Sequence, residues 1–176
     1  MSTAIIGTGG LGSVIARRLA SGGESLRLSS ADTESARTLA AAIGRQAAAA
    51  SDNHDALQGA DAVILALRFG VLKGVIEEIA DSLTDKLVVV PSNPVGLDAQ
   101  GKIVRLLPQQ QSSGKVVVGW LPEGARLAMA FGSMSGDLLE SSSNRSPELA
   151  VLFTLPTTTG LAKKSSGWSA PPVSSQ

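Results

Sequence analysis

The chain has 176 residues, of which 43% are hydrophobic and 17% charged, a composition that suits one compact globular domain. Its formal net charge of +0 provides no broad positive field for nucleic acid, and its lack of cysteine excludes disulfides and thiolate metal sites. Because no basic segment precedes the first predicted strand and no apolar run approaches the roughly 20 residues of a membrane span, we expect a cytoplasmic protein that binds neither a membrane nor nucleic acid.

Strands and helices alternate through most of the chain, which is the pattern of an α/β fold with a parallel sheet covered on both faces. The predicted strands comprise residues 4–6, 25–28, 46–49, 62–67, 87–90, 127–131 and 150–153. The predicted helices comprise residues 11–21, 52–58, 71–83 and a segment that Asp32 caps and Gly44 ends. We therefore predict a doubly wound parallel sheet over residues 1–153 and an irregular C-terminal tail, rich in Ser, Thr and Pro, over residues 154–176.

Residues 116–118 allow two interpretations. Three consecutive valines favour a strand. Ser112 and Ser113, which precede them, could equally cap a short helix. The residue pattern by itself leaves both open.

Glycines separate the first predicted strand from the first predicted helix at G-x-G-x-x-G spacing, in the order Gly7-Thr8-Gly9-Gly10-Leu11-Gly12. In a dinucleotide-binding loop the first glycine permits a tight turn, the second lets the backbone approach a pyrophosphate, and the third lets the helix pack on the strand. The start of the helix then holds the anion. We predict an NAD(P)-binding Rossmann fold, with an ordinary glycine turn as the alternative.

The end of the second predicted strand distinguishes NAD from NADP, because an acidic residue there binds the ribose 2′-hydroxyl and repels a 2′-phosphate. Ser29 and Ser30 stand at this end, so we expect hydroxyl donors for a 2′-phosphate. Asp32 lies about 20 residues beyond the glycine loop, the spacing of the NAD acid, but its place before a helix favours a cap. Arg37 is a further candidate for the phosphate, with a solvated surface residue as the alternative.

Several segments together resemble the NADP oxidoreductases that depend on the deazaflavin coenzyme factor 420. They are the glycine loop, Gly59-Ala60-Asp61-Ala62-Val63-Ile64-Leu65-Ala66, Ser92-Asn93-Pro94, and Leu121-Pro122-Glu123-Gly124-Ala125 followed by Ala130-Phe131-Gly132-Ser133. The resemblance implies NADP(H) as cofactor, a deazaflavin or flavin as co-substrate, and a helix around residues 116–118. Because Ala31 replaces an arginine and Arg68 a proline that are common in the family, we expect only a modest preference for NADP and an altered loop beside the nicotinamide.

Residues at the ends of three predicted strands fall at the sheet edge where open parallel sheets bind ligands: Ala66, Leu67, Asn93, Pro94 and Ala130. Their convergence favours a nicotinamide-ribose pocket, although Asn-Pro is also a common turn. The predicted cofactor site comprises these residues together with Gly7, Thr8, Gly9, Gly10, Leu11, Gly12, Ser29 and Ser30. His54, the only histidine, is interpreted as part of a solvated helix surface, so no metal ligand is assigned.

The favoured function is an NADP-dependent oxidoreductase that transfers a hydride between NADP(H) and a deazaflavin or flavin-type acceptor. No catalytic residue is assigned, since such transfer requires positioning of two rings and no nucleophile. The alternative is an NADP(H)-binding module or degenerate paralogue with little turnover, because residues 154–176 lack the apolar periodicity of the helices with which the family completes its second substrate site. A methyltransferase is less favoured. The expected partner is a small-molecule redox acceptor of open identity, and a homodimer is compatible with the sequence.

Overall fold

The computed structural model describes residues 2–133, 135–141 and 155–156. Its strands are β1 (Ser2–Ile6), β2 (Ser25–Ser29), β3 (Ala47–Ala49), β4 (Ala62–Leu65), β5 (Leu87–Val90), β6 (Val95–Leu97), β7 (Ile103–Arg105), β8 (Arg126–Met129) and β9 (Leu155–Pro156). Its helices are α1 (Gly10–Ser21), α2 (Thr33–Ile43), α3 (Asn53–Leu57), α4 (Phe69–Glu78), α5 (Ser113–Val118) and α6 (Gly136–Ser141), with a 3₁₀ turn over Ala80–Ser82.

Six parallel strands form the main sheet in the order β3-β2-β1-β4-β5-β8, and the short β9 pairs with β8 in the antiparallel direction. The chain first builds outward from β1 to β3 and then returns to place β4 on the other side of β1. Ile6 pairs with both Ser29 and Leu65, so the carboxyl ends of β1, β2 and β4 lie level. Open α/β sheets bind ligands at such a switch point.

Apolar side chains bury both faces of the sheet. Every residue of β4 is buried, because helices cover this central strand on both sides. Ile64 packs in the cluster that includes residues of α1 and α2, whereas Val63 and Leu65 pack in the cluster that includes residues of α3, α4 and α5. The central strands are thereby held rigidly, and their carboxyl ends are fixed relative to one another.

The structure confirms the predicted α/β fold with its parallel sheet, and it reproduces the predicted bounds of β5. The helix around residues 116–118, expected from the family resemblance, is α5, and the Ser112 hydroxyl caps it by accepting from the Lys115 amide. Asp32 and Gly44 bound α2 as predicted. Within the described residues, no helix combines the length and apolar composition needed to cross a bilayer.

Several element boundaries differ from the prediction by one or more residues, and the differences at β4, β8 and α4 are the following. β4 ends at Leu65 and not at residue 67, because the carbonyl of Leu67 accepts from the Ser92 hydroxyl and the chain has left the sheet. β8 ends before Phe131, whose φ of +64° is incompatible with a strand. The helix predicted over residues 71–83 begins at residue 69 and ends at residue 78, followed by the 3₁₀ turn.

Three features were not predicted: the antiparallel hairpin β6–β7, the short helix α6, and the two-residue strand β9, which falls in the segment predicted to be an irregular tail. The hairpin strands have three residues each, too few for a hydrophobic period to be recognised. Its turn is held by Asp98, whose carboxylate accepts from the amides of Gln100 and Lys102. The strand predicted over residues 150–153 lies outside the described residues, as does the predicted tail except for β9.

Candidate functional site

Two glycines in the turn between β1 and α1 allow close packing. Gly7 has a φ of +101°, and a Cβ on it would lie 2.4 Å from the carbonyl oxygen of Ala66. A Cβ on Gly12 would lie 2.0 Å from the carbonyl oxygen of Gly7. Both distances are too short for non-bonded atoms, so only glycine lets α1 start this close to β1 and β4.

Gly9 and Gly10 face open space instead. A Cβ on either residue would meet no heavy atom within 4 Å. Gly9 is the N-cap of α1 and contributes no side-chain hydrogen bond to the first-turn amides, and that turn contains no acidic residue. The side chain of Leu11 packs against the core, so Leu11 can contact a ligand at this turn through its backbone amide.

Thr8, which lies between these glycines, has a buried hydroxyl oxygen without a hydrogen-bond partner in the part of the chain that the structure describes. A buried hydroxyl without a partner is costly, and it is satisfied when a ligand supplies one. The lone hydroxyl, the uncapped amides of α1 and the space above Gly9 and Gly10 fit the pyrophosphate of a dinucleotide.

The two serines at the end of β2 differ in what they offer a ligand. Ser29 is 3% exposed, and its hydroxyl donates to Asn53 Oδ1 at 2.7 Å. Ser30 is half-buried, and its hydroxyl makes no hydrogen bond within the described residues. Ser30 therefore has the hydroxyl that is available to a ribose or its 2′-phosphate.

Asp32 serves as the N-cap of α2, as its sequence position predicts. Its carboxylate accepts from the Ser35 hydroxyl and from the Glu34 amide. These hydrogen bonds, that of Ser35 first, lower the pKa of Asp32 below its ordinary value of 3.8. The capping interactions use the carboxylate locally, which favours the cap over the role of a ribose ligand.

A first cleft of about 420 Å³ opens at the ends of β1, β2 and β4, and we call it the switch-point cleft. Its lining comprises Ile6, Gly7, Ser29, Ser30, Ala31, Thr33, Ser51, Asp52, Asn53, Leu67, Val75 and Glu78. Two carboxylates and several hydroxyls line it, and this described lining contains no Lys or Arg. The cleft lies where the adenosine half of a dinucleotide binds in a fold of this strand order.

Side-chain hydrogen bonds connect the three loops that follow β4, β5 and β8. The Ser92 hydroxyl donates to the carbonyl of Leu67, and Asn93 Nδ2 donates to the carbonyl of Gly132 at 2.5 Å. Ala130 is buried, and it lies beside β5 because its amide donates to the carbonyl of Val90. Pro94 instead begins the hairpin, where its carbonyl accepts from the Leu106 amide at 2.8 Å. Leu67, Asn93 and Ala130 thus lie on neighbouring loops that hydrogen bonds connect, whereas Pro94 belongs to the hairpin.

A second cleft of about 320 Å³ lies between the ends of β5 and β8, and we call it the β5–β8 cleft. Its lining comprises Val90, Ser92, Asn93, Ser112, Ser113, Gly114, Met129, Ala130, Gly132 and Ser133. Apolar side chains and small polar side chains are both present, and none of these lining residues is charged. Such a lining suits an uncharged, flat ring that carries hydrogen-bonding groups on its edge.

A family model described as "NADP oxidoreductase coenzyme F420-dependent" matches residues 2–94, more than half of the chain. The chain belongs to this family. It is therefore an oxidoreductase of the NAD(P)-dependent class, and the matched segment contains the glycine loop, both serines after β2 and the Ser92-Asn93-Pro94 segment.

Solved structures share the fold of this F420-dependent family member. The hypothetical protein SMa0349 from Sinorhizobium meliloti has a TM-score of 0.76 and 25% identity, with 90% of this chain and 75% of that chain covered. A proposed F420-dependent NADP reductase from Arthrobacter sp. FB24 has a TM-score of 0.76 and 18% identity, with 90% and 74% covered. A reductive aminase from Aspergillus terreus in complex with NADPH has a TM-score of 0.55 and 17% identity, with 77% and 42% covered. No curated protein sequence matches the chain.

Sequence reasoning missed several residues that line the clefts of this family member. Asn53 follows β3, so the rule that ligands bind beyond the carboxyl ends of parallel strands could have found it. Ser112 and Ser113 were considered only as helix caps. Ser133 had no signal beyond its place in a motif of the family resemblance, because only the fold brings it next to Asn93.

The acidic residues around His54 have structural roles. Asp52 caps α3 by accepting from the Asp55 amide at 2.8 Å. The Ser51 amide, which donates to Asp55, is the main cause that lowers the pKa of Asp55 below 3.8, and the charge of Arg27 adds to it. Over the described residues, no three His, Asp or Glu side chains group as a metal site would require.

Proposed function

We propose that this family member binds NADP(H) along the carboxyl edge of its sheet and transfers a hydride between the nicotinamide and a deazaflavin or flavin-type acceptor. The observation that carries the proposal is the turn before α1. Gly7 and Gly12 there have no room for a Cβ, whereas Gly9 and Gly10 face open space beside the unpartnered hydroxyl of Thr8. This division of roles matches what a dinucleotide-binding loop requires.

Each part of the cofactor has candidate residues. The amides of the first turn of α1 and the Thr8 hydroxyl would hold the pyrophosphate. Ser30 would donate to the 2′-phosphate within the switch-point cleft. The nicotinamide ribose would lie near Ala66, Leu67 and Asn93, after β4 and β5. The reductive aminase that shares the fold forms a complex with NADPH, which supports NADP(H) as the cofactor.

When bound, NADPH supplies a hydride from its nicotinamide ring to the acceptor. The contribution of the protein is to hold the acceptor in a fixed orientation, because direct transfer depends on the distance and angle between two rings. Met129, which is half-buried, gives the β5–β8 cleft apolar surface that would exclude water from a bound ring. Ser112, Ser113 and Ser133 would hydrogen-bond carbonyl and N–H groups on its edge.

The hydrogen bond from Asn93 to the Gly132 carbonyl gives the proposal a test, because it connects the two strand ends that form the β5–β8 cleft. The substitution Asn93→Ala removes this hydrogen bond, so the cleft should hold the acceptor in a less well defined orientation. A misplacement of about 1 Å can reduce the rate on the order of a hundredfold. NADPH affinity should change less than turnover, because Asn93 is one of several residues near the nicotinamide ribose and the glycine loop that would hold the pyrophosphate is untouched.

The assay follows the absorbance of NADPH with the deazaflavin coenzyme, a flavin, a ferric chelate and a small carbonyl compound in turn. Calorimetric titration of the same protein with NADPH measures binding separately. Turnover with deazaflavin or flavin above the other acceptors supports the proposal. Tight NADPH binding without turnover of any acceptor would replace it with the cofactor-binding module, and no NADPH binding would refute both.

A further inference from the structure

One end of the switch-point cleft contains a row of three hydrogen-bonded polar side chains. The Ser29 hydroxyl donates to Asn53 Oδ1 at 2.7 Å, and Asn53 Nδ2 donates to Glu78 Oε1 at 3.1 Å. The row joins the end of β2, the start of α3 and the end of α4. It therefore depends on the assembled fold and on no single loop.

The donors and acceptors in this row have a fixed direction. A carboxylate can only accept, so the Asn53 group that faces Glu78 must be its NH₂ group. Asn53 Oδ1 then accepts from Ser29. Within the described residues, the second carboxylate oxygen of Glu78 receives no hydrogen bond, and Glu78 is an exposed residue that lines the cleft. The row thus ends in an acceptor that is available to a ligand.

The same cleft has apolar walls. Leu67 follows β4, Val75 lies one turn before Glu78 on α4, and both are half-buried lining residues. A flat aromatic ring can cover such side chains while its edge reaches the carboxylate. Because Glu78 can only accept, the edge that faces it must carry an N–H donor.

We infer that Glu78, held by Asn53, recognises the exocyclic 6-amino group of adenine and makes the site selective for adenine over a 6-oxo purine. This inference rests on the proposed binding of NADP(H). Adenine presents an amine at this position, whereas hypoxanthine presents a carbonyl oxygen whose lone pairs would face the carboxylate. A site built to receive an N–H group at this position rejects an analogue that presents an acceptor there.

The experiment compares dissociation constants for NADPH, NADH and reduced nicotinamide hypoxanthine dinucleotide phosphate, measured by calorimetry on the full chain. The proteins are the wild type, Glu78→Gln and the control Glu77→Gln. The control removes the same charge one residue away on α4, where Glu77 pairs with Lys73 at 3.5 Å and does not line the cleft.

Wild type should bind NADPH about tenfold more tightly than the hypoxanthine analogue, the low end for a hydrogen bond to a charged group. In Glu78→Gln the two affinities should converge to within about threefold, because glutamine can turn its NH₂ group toward the 6-oxo group. Glu77→Gln should keep the wild-type ratio.

Equal affinities in the wild type, or an unchanged ratio in Glu78→Gln, would overturn the inference. The inference would also be overturned if Glu78→Gln changed the ratio of the NADPH and NADH dissociation constants but kept the discrimination against the hypoxanthine analogue. Glu78 would then face the ribose. Failure of the wild type to bind NADPH at all would refute the proposed function and the inference together. Selectivity for adenine is compared only when the wild type binds NADPH. A failure of the inference is therefore distinguishable from a failure of the proposed function.

Discussion

The substitution Gly9→Val separates ligand binding from folding at the glycine loop. Gly9 has φ −69° and ψ −171°, an ordinary extended conformation that valine adopts without strain. A Cβ at Gly9 would meet nothing within 4 Å. The remaining cost is the replacement of glycine by a poorer N-cap residue, about 1 kcal/mol. For a chain of this size, that corresponds to a decrease in Tm of about 2–4 °C.

NADPH binding should respond far more strongly than stability. The valine side chain would occupy the space above Gly9 and Gly10 that a pyrophosphate needs. If the displaced ligand loses two hydrogen bonds to backbone amides, each involving a charged group and contributing about 1.5–3 kcal/mol, its affinity falls by about a hundredfold or more. Calorimetric titration with NADPH and thermal unfolding of the same sample measure both quantities.

Gly12→Ala is the matched comparison, because it adds one methyl group to the same loop where there is no room. Its Cβ would lie 2.0 Å from the Gly7 carbonyl oxygen, so α1 must shift. Overpacking of this kind costs on the order of 1–3 kcal/mol, and Tm should fall further than in Gly9→Val. The reasoning would be refuted if Gly9→Val bound NADPH as tightly as the wild type does. It would also be refuted if Gly9→Val lost more stability than Gly12→Ala.

Three further predictions concern side chains near the switch-point cleft. Ala31→Arg, which restores the family arginine in the lining, should raise the preference for NADPH over NADH about tenfold or more; titration with both cofactors measures it, and an unchanged ratio would contradict it. Asp32→Ala should lower Tm by about 2–4 °C through loss of the α2 cap and leave the cofactor ratio unchanged, whereas a reversed ratio would identify Asp32 as the ribose ligand. Since the folded-state pKa of Asp55 is lowered, its contribution to stability is present above about pH 3.8 and is lost as the pH falls through that lowered pKa. Urea midpoints measured over this pH range should therefore fall less steeply in Asp55→Asn than in the wild type, and equal slopes would show that Asp55 is not responsible.

The parts that the sequence predicted well are those with local physical causes. The glycine spacing fixes the turn before α1 because Gly7 and Gly12 have no room for a Cβ, whereas Gly9 faces open space beside the start of the helix. The uninterrupted apolar run of β4 predicted a strand buried on both faces, since a parallel sheet covered by helices leaves it no polar face. Asp32 and Gly44 likewise act on the helix next to them.

The parts that were missed depend on contacts between distant segments. Nothing near Ser29 in the sequence indicates that its hydroxyl binds Asn53, which is 24 residues away and adjacent only because β2 and α3 are packed together. The connection from Asn93 to Gly132 spans 39 residues. The sequence therefore predicted that ligands bind at this edge of the sheet, but it did not predict which side chains line the β5–β8 cleft.

The preference between NADP and NAD depends on which hydrogen-bond donors and charged groups near the switch-point cleft are available to a 2′-phosphate. The Ser29 hydroxyl already donates to Asn53, Asp32 accepts from an amide in the first turn of α2, and no Lys or Arg is among the described residues that line the switch-point cleft. A 2′-phosphate would then gain neutral hydrogen bonds, from Ser30 and Thr33, each contributing about 0.5–1.5 kcal/mol. Asp52 and Glu78 in the same lining oppose the added negative charge. The preference for NADP should therefore be modest, about 1–3 kcal/mol at most, and a single arginine is enough to change it.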